Sequence, residues 1–277
     1  MPVLRVGLMP YLNSEAFYYA SDPLLFQLVP LVPSAMAKAA RDGELDAGPI
    51  PLVDCFRLEN RFVPVNGFCI ATVERARSIL LFSNRPMEQL GGATIAVTDE
   101  TSTSSQLLRV LLAHRLRVRP GGYLALATSS SLERLLRDGR PTLYDAYLLI
   151  GDTALRNRHV PPDFPYRYDL GAEWHRWTGL PFVFARWIVR ADATAEERGR
   201  LEHQLAASVS AALANVDAIA RKRHADLGLT VEEAAEYVRS FRYVLGPQEE
   251  RAMVRFRELL AALPQERLPV RDATMPA

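Results

Sequence analysis

The sequence predicts an α/β protein built as two lobes. Three observations carry that reading: short apolar strands alternate with helices through the first third, a second strand set follows, and the chain becomes helical from about residue 194. A βαβα order implies a parallel sheet, because parallel neighbours need a crossover helix. The expected lobes are 1–90 together with 188–277, and 91–187.

Residues 4–9 read as the first strand, since apolar residues dominate and no helical repeat fits. The polar run Tyr11-Leu12-Asn13-Ser14 then stands where the strand hands over to a short helix over 15–20. In open α/β sheets ligands bind outside the carboxyl ends of strands, so an amide and a hydroxyl here face an expected cleft. A plain turn or helix cap also suits Asn and Ser. A second strand over 26–32 leads to a helix over 35–41, with Ser34 as its N-cap and Gly43 as its stop. Residues 45–50 form a third strand ending at another junction.

The second set has strands at 68–71, 78–82 and 94–97, the last after a Gly91-Gly92 turn. Five hydroxyls, Thr101 to Ser105, precede a Leu-rich helix. Gly121-Gly122 marks a break, 131–137 a helix, and 144–150 a buried strand ending in Gly151-Asp152. In the helical third, Leu201, Leu205, Val209, Leu213 and Val216 describe one apolar face. Thr230 and Glu233 form a capping box, and Gly246-Pro247 opens a last helix carrying Met253, Phe256, Leu259 and Leu260. From Pro264 the tail is proline-rich.

Composition narrows the function classes. The 33 basic and 32 acidic residues among 277 leave no global field for nucleic acid or an anionic membrane. Cys55 and Cys69 lack metal-ligand spacing and imply no disulfide framework, so a reduced, cytoplasmic setting is expected. No secretory signal and no membrane-spanning apolar run is visible.

Candidate chemistry is sparse. The hydroxyl run before a helix suits a carboxylate or phosphate, though it lacks the Gly-rich Walker pattern and also reads as a capping segment. His114, His159, His175, His203 and His224 are scattered and read as surface or packing residues, and no serine elbow or activated cysteine is present. The aromatic run from Trp174 to Phe184 suits core packing, or an apolar wall against a ring from Leu180-Pro181-Phe182. Arg75, Arg77 and Arg186 are candidate carboxylate partners.

Taken in order, Tyr11-Leu12-Asn13-Ser14, Gly43-Glu44-Leu45-Asp46, Thr103-Ser104, Leu149-Ile150-Gly151-Asp152-Thr153-Ala154-Leu155, and Asp169-Leu170-Gly171-Ala172-Glu173-Trp174 through Thr178-Gly179-Leu180-Pro181-Phe182-Val183-Phe184-Ala185 resemble the chorismate dehydratase family of the futalosine-dependent menaquinone pathway. The resemblance spans about residues 3–190. It implies a type II periplasmic-binding-protein-like fold with the active site between two lobes, and loss of water from chorismate to give 3-[(1-carboxyvinyl)oxy]benzoate. It also implies Asn13 as the catalytic residue, with Tyr11, Ser14, Ser34, Ile50, Ser78, Thr103, Ser104, Gly151, Asp152 and Phe182 contacting substrate. No metal or organic cofactor is indicated. The sequence departs from the family at Glu15-Ala16-Phe17, at Thr72-Val73-Glu74-Arg75 and at Ile50-Pro51-Leu52. A sister enzyme, 1,4-dihydroxy-6-naphthoate synthase, uses a histidine base where this chain has Leu148-Leu149-Ile150-Gly151-Asp152. A non-catalytic binding protein of the same fold is the rival from another class.

Overall fold

A computed structural model describes residues 3–22, 25–98, 100–126, 144–159 and 162–264. The helix expected over 131–137, Asp99 of the hydroxyl loop, and the tail after Pro264 lie outside these residues. Among them, eleven strands are formed: β1 (Leu4–Leu8), β2 (Phe26–Pro30), β3 (Ala47–Pro51), β4 (Phe62–Thr72), β5 (Ile79–Ser83), β6 (Thr94–Thr98), β7 (Gly122–Leu126), β8 (Ala146–Ile150), β9 (Tyr166–Asp169), β10 (Phe182–Arg190) and β11 (Phe241–Val244). The chain divides into two compact units, Met1–Val73 with Leu180–Ala252, and Glu74–Gly179 with Met253–Ala277.

The first unit holds a six-stranded sheet in the order β11-β4-β10-β3-β1-β2. β1 pairs in parallel with β2 and β3, while β10 runs antiparallel to both β3 and β4. Pro33 opens the crossover helix Pro33–Asp42, where a missing N–H costs nothing, and Gly43 closes it at φ +76°, a left-handed position that favours glycine. Val32, not Ser34, is therefore the N-cap residue, and Ser34 lies inside the first turn. Asp46 locks the start of β1 to β3: its carboxylate accepts from Arg5 N (2.8 Å), Nε (3.1 Å) and Nη2 (3.0 Å).

The second unit holds a five-stranded sheet, β7-β6-β8-β5-β9, in which β6 pairs in parallel with β7 and β8. β5 runs antiparallel to both β8 and β9. That pairing corrects the expected boundary at residue 90, because 79–83 belong to this sheet and the first unit ends at Val73. Likewise the return to the first unit comes at Leu180, ahead of the expected 188, since β10 pairs with β4 from Phe182 to Arg190 and with β3 from Ala185 to Val189. The last helix, Pro247–Ala261, was expected on the first lobe throughout. From Met253 it belongs instead to the second unit, where Phe256 packs edge-on against Trp174 (5.9 Å) and Leu259 O bonds His114 Nε2 (2.9 Å).

The helical third opens two of its helices on capping boxes, of which only the second was expected. Helix Ala195–Ala214 starts on a Thr194–Glu197 capping box and helix Val231–Arg239 on the expected Thr230–Glu233 box. Leu201, Leu205 and Val209 are buried, but Leu213 is 46% exposed because the helix ends at Ala214 and a separate helix starts at Val216. The short strand β11 and the strands β7, β9 and β10 have no counterpart in the expected strand list. Among the described residues no helix is long and apolar enough to cross a membrane.

Asp46 supplies a pH test. Burial raises its pKa, but the Arg5 side-chain and backbone hydrogen bonds, with the charges of Arg5 and Arg190, outweigh burial and hold it below the usual carboxylate range. A carboxylate depressed in the folded state adds stability that is full above its unfolded pKa of about 4 and lost as pH falls through the lower folded value. In urea titrations Asp46→Asn is expected to be less stable than wild type at neutral pH, with the gap closing as pH falls below about 4. A gap that stays constant across that range would contradict the ion-pair role.

Candidate active site

Parallel strands end at a common edge, and that geometry gathers the candidate residues of the first unit. β1, β2 and β3 all finish there, β4 finishes beside them, and β10 begins there, with Phe182 opposite Thr72 and Ala185 opposite Pro51. Tyr11 to Ser14 follow β1, Ser34 follows β2, Ile50 is the last but one residue of β3 and Phe182 opens β10.

The segment after β1 is a 3-10 helix, Leu12–Phe17, so the polar run itself forms the turn rather than preceding it. Ser14 Oγ lies 2.6 Å from Met9 O and 2.7 Å from Tyr11 O, and Ser14 N donates to Tyr11 O (3.0 Å). Tyr18 Oη donates to Gly7 O (2.8 Å) and accepts from Met9 N (3.1 Å). Phe17 packs against Trp187 (5.2 Å) and Tyr243 (5.4 Å). These contacts fix Asn13, which is 7% exposed and whose Oδ1 is buried without a hydrogen-bond partner among the described residues. A buried acceptor left unpaired costs about 1–3 kcal/mol, so such groups call for a partner that the protein does not itself supply.

Other polar atoms share that condition on neighbouring strands: Thr72 Oγ1 at the end of β4, and Arg186 Nε and Trp187 Nε1 on β10. The β10–β4 ladder carries a register shift between Val183 and Ala185, and another between Arg186 and Ile188. Such irregularities re-aim side chains next to functional sites. Of the three arginines singled out in the sequence, Arg186 alone has a buried unpartnered nitrogen among the described residues; Arg75 is exposed, and Arg77 carries a positive φ of 60°.

In the second unit the carboxyl ends of β6 and β8 lie side by side. Helix Thr103–Val110 follows β6 and presents Thr103 (3% exposed) and Ser104 (6%) in its first turn, with no side-chain cap from Ser102. Thr101 Oγ1, just ahead, is buried without a partner among the described residues. Helix Gly151–Arg156 follows β8, with Asp152 buried in its first turn. Gly151 N donates to Ser78 O (2.8 Å), which joins the start of β5 to the end of β8.

Several expected contacts take structural roles. Ser14 is wholly buried and its hydroxyl braces the 3-10 turn. The side chains of Ile50 (0% exposed) and Phe182 (1%) sit in the core, Ile50 O accepting from Cys55 Sγ (3.3 Å) and Phe182 packing on the more open Phe184 at 4.8 Å. Ser78 is fully buried, with Oγ 3.3 Å from Ala76 O. Thr72 and Thr101 were not singled out as individual contacts; Thr72 ends β4 and Thr101 lies in the loop between β6 and the helix at Thr103, and those positions were the signal available. Burial pushes the thiols of Cys55 and Cys69 up to about 12, so neither supplies a thiolate at neutral pH. Among the described residues no cluster of His, Cys, Asp and Glu fit for a metal ion occurs.

A family profile described as menaquinone biosynthesis matches residues 4–262. A chorismate dehydratase from Thermus thermophilus is 25% identical over 274 residues, covering 92% of this chain and 94% of the relative. A solved structure of a protein from Archaeoglobus fulgidus superposes with a TM-score of 0.74 at 18% identity, covering 94% of this chain and 97% of that one. The periplasmic aliphatic sulphonate binding protein of Escherichia coli gives 0.61 at 14% identity, covering 94% and 86%. At these identities the structural likeness establishes the fold, which is the periplasmic-binding-protein-like one expected from the sequence.

Asp169 organises the approach to Ser78. Its Oδ1 accepts from Ala76 N (3.0 Å) and from Ala172 N (3.1 Å), capping helix Leu170–Thr178, while Oδ2 accepts from Arg77 N (2.6 Å). Gly171 lies so close that an added Cβ would meet Ala76 N at 2.9 Å. Loss of the cap and of two backbone partners in Asp169→Ala is expected to lower stability by about 3 kcal/mol in denaturant unfolding. A loss below about 0.5 kcal/mol, the level of an ordinary surface change, would show that this carboxylate does not hold the segment.

Proposed function

The chain belongs to the menaquinone biosynthesis family, and from that premise we propose that it is a chorismate dehydratase, a hydro-lyase that converts chorismate to 3-[(1-carboxyvinyl)oxy]benzoate and water. The observation that supports this reading most directly is Asn13: a buried amide with an unpaired acceptor, held rigidly where β1 ends. The full-length likeness to a relative of that name supports the same reaction.

In this reaction the C3–H bond breaks, its electron pair becomes a ring double bond, and the C4 hydroxyl leaves as water. The ring gains aromaticity, so the driving force lies in the substrate and the protein's task is mainly orientation. Fixing reacting groups in a productive geometry supplies a large share of a barrier reduction. An amide is not a base at neutral pH, so Asn13 orients the reacting ring edge and polarises it through Oδ1 and its N–H groups. Within the second unit, the first turn of helix Thr103–Val110, with the hydroxyls of Thr103 and Ser104, suits a carboxylate, because the positive end of the helix favours an anion. Within the first unit, Arg186, whose Nε is buried and unpaired among the described residues, suits a carboxylate.

The test is incubation of purified protein with chorismate, followed by chromatography for the aromatic enolpyruvyl ether. Wild type is expected to consume chorismate, and Asn13→Ala to be slower by about a hundredfold or more with an unchanged circular dichroism spectrum. Chorismate returned unchanged by the wild-type protein would refute the dehydratase reading. Wild-type turnover in Asn13→Ala would remove Asn13 from the mechanism while leaving the reaction assigned.

A further inference from the structure

A second site stands at the opposite end of the helical rod that begins at Thr103. Helix Thr103–Val110 runs on into a π-helical turn, Leu111–Leu116, and ends at Arg117, which adopts a left-handed conformation at φ 55°. At about 1.5 Å per residue the rod carries the chain on the order of 20 Å from Thr103. Its far end lies at the amino edge of the sheet, where Gly92 N donates to Arg119 O (3.0 Å) and Gly121 N to Ala93 O (2.8 Å) ahead of β6 and β7. Thr103 and Ser104 follow the carboxyl end of β6, so this region is separate from the candidate active site.

A cavity of about 380 Å³ opens there, within the range of small-molecule sites. Arg109, His114, Arg117 and Arg119 line it, and among the described residues no Asp or Glu does. In a chain whose charges balance to +1, three guanidinium groups on one small cavity form a local concentration of positive charge. Arg109 Nη1 donates to Gln106 Oε1 (3.1 Å), a neutral partner. The exposed side chains of Arg117 and Arg119 have no ion pair among the described residues. His114 Nε2 lies 2.9 Å from Leu259 O, and since a carbonyl only accepts, Nε2 carries the proton. The remaining wall includes Leu112, Val118 and Tyr123, an apolar and aromatic surface beside the charges. Non-glycine residues at positive φ are uncommon and cluster at ligand clamps, and π-turns recur at functional sites.

We propose that this cavity is a binding site for a phosphorylated small molecule carrying a flat ring, with Arg117 and Arg119 on the phosphate and Leu112, Val118 and Tyr123 against the ring. Forked guanidinium groups match phosphate oxygens in pairs, and the apolar wall gives the ring a place out of water. The site does not depend on the proposed dehydration, and neither arginine belongs to the machinery assigned to that reaction.

Equilibrium dialysis of the full chain at low salt tests it with four probes: ADP, adenosine, inorganic pyrophosphate and succinate. ADP is expected to saturate one site per chain, to bind at least about tenfold more tightly than adenosine, pyrophosphate or succinate, and to weaken as salt is added. R117A/R119A should weaken ADP by on the order of a hundredfold, about tenfold per charged contact, while leaving the melting temperature and chorismate turnover unchanged. ADP binding no tighter than adenosine, or equal in the double variant and wild type, would overturn the proposal. Succinate binding as tightly as ADP would overturn the assignment to phosphate.

Discussion

Where parallel strands stop, backbone pairing stops with them, and the side chains that follow must find other partners. β1, β2 and β3 end together at one edge of their sheet, and β6 and β8 do so in theirs. Everything assigned to substrate hangs on those edges, because they are where the chain leaves the ladder and turns into a helix. On the first edge the turn after β1 is closed by Ser14 and clamped by Tyr18, which uses its hydroxyl on both Gly7 O and Met9 N. The turn's own hydrogen bonds are therefore complete, while the Asn13 acceptor inside it is not.

That contrast separates positioning from recognition. Ser14, Tyr18, Asp169 and Gly171 have their polar atoms or close contacts occupied by the protein, and each holds a neighbouring segment in place. Asn13 Oδ1, Thr72 Oγ1, Thr101 Oγ1 and Arg186 Nε are buried and lack partners among the described residues. Buried polar atoms in folded proteins are ordinarily paired, and an unpaired one at a strand end is best accounted for by a ligand or solvent molecule. Fully spent and wholly unspent polar groups within a few residues of one another are what a preorganised binding surface requires.

Much of this was legible before the fold. The first strand, expected over 4–9 and formed over Leu4–Leu8, the crossover helix stopped by Gly43, the Thr230–Glu233 box and the Gly246-Pro247 break rest on local rules. Asn13 and the Thr103-Ser104 turn were picked out as polar groups at strand-to-helix junctions, where Asn, Ser and Thr also serve as ordinary caps. What local rules miss is set by distant partners. The apolar run 79–83 suits either sheet, and only pairing with β8 and β9 decides it. The serine in the first loop looked like a ligand group because its acceptors, Met9 O and Tyr11 O, are aligned only once the 3-10 turn exists. Phe182, read as part of an apolar wall for a ring, lies in the core, as does the side chain of Ile50, a fact of packing that no pattern of letters records. β11 is four residues long with alternate exposure, too brief to read as a strand without β4 beside it.

The central claim is that the unpaired Asn13 acceptor exists to meet a ligand. Its most direct measurement is a crystal structure of the wild-type protein grown with 3-[(1-carboxyvinyl)oxy]benzoate. The account predicts density for that molecule at the carboxyl edge of β1, with a group of the ligand or one bridging water within hydrogen-bond distance of the Asn13 amide. Ligand bound elsewhere, with Asn13 Oδ1 satisfied by the protein's own groups, would contradict it.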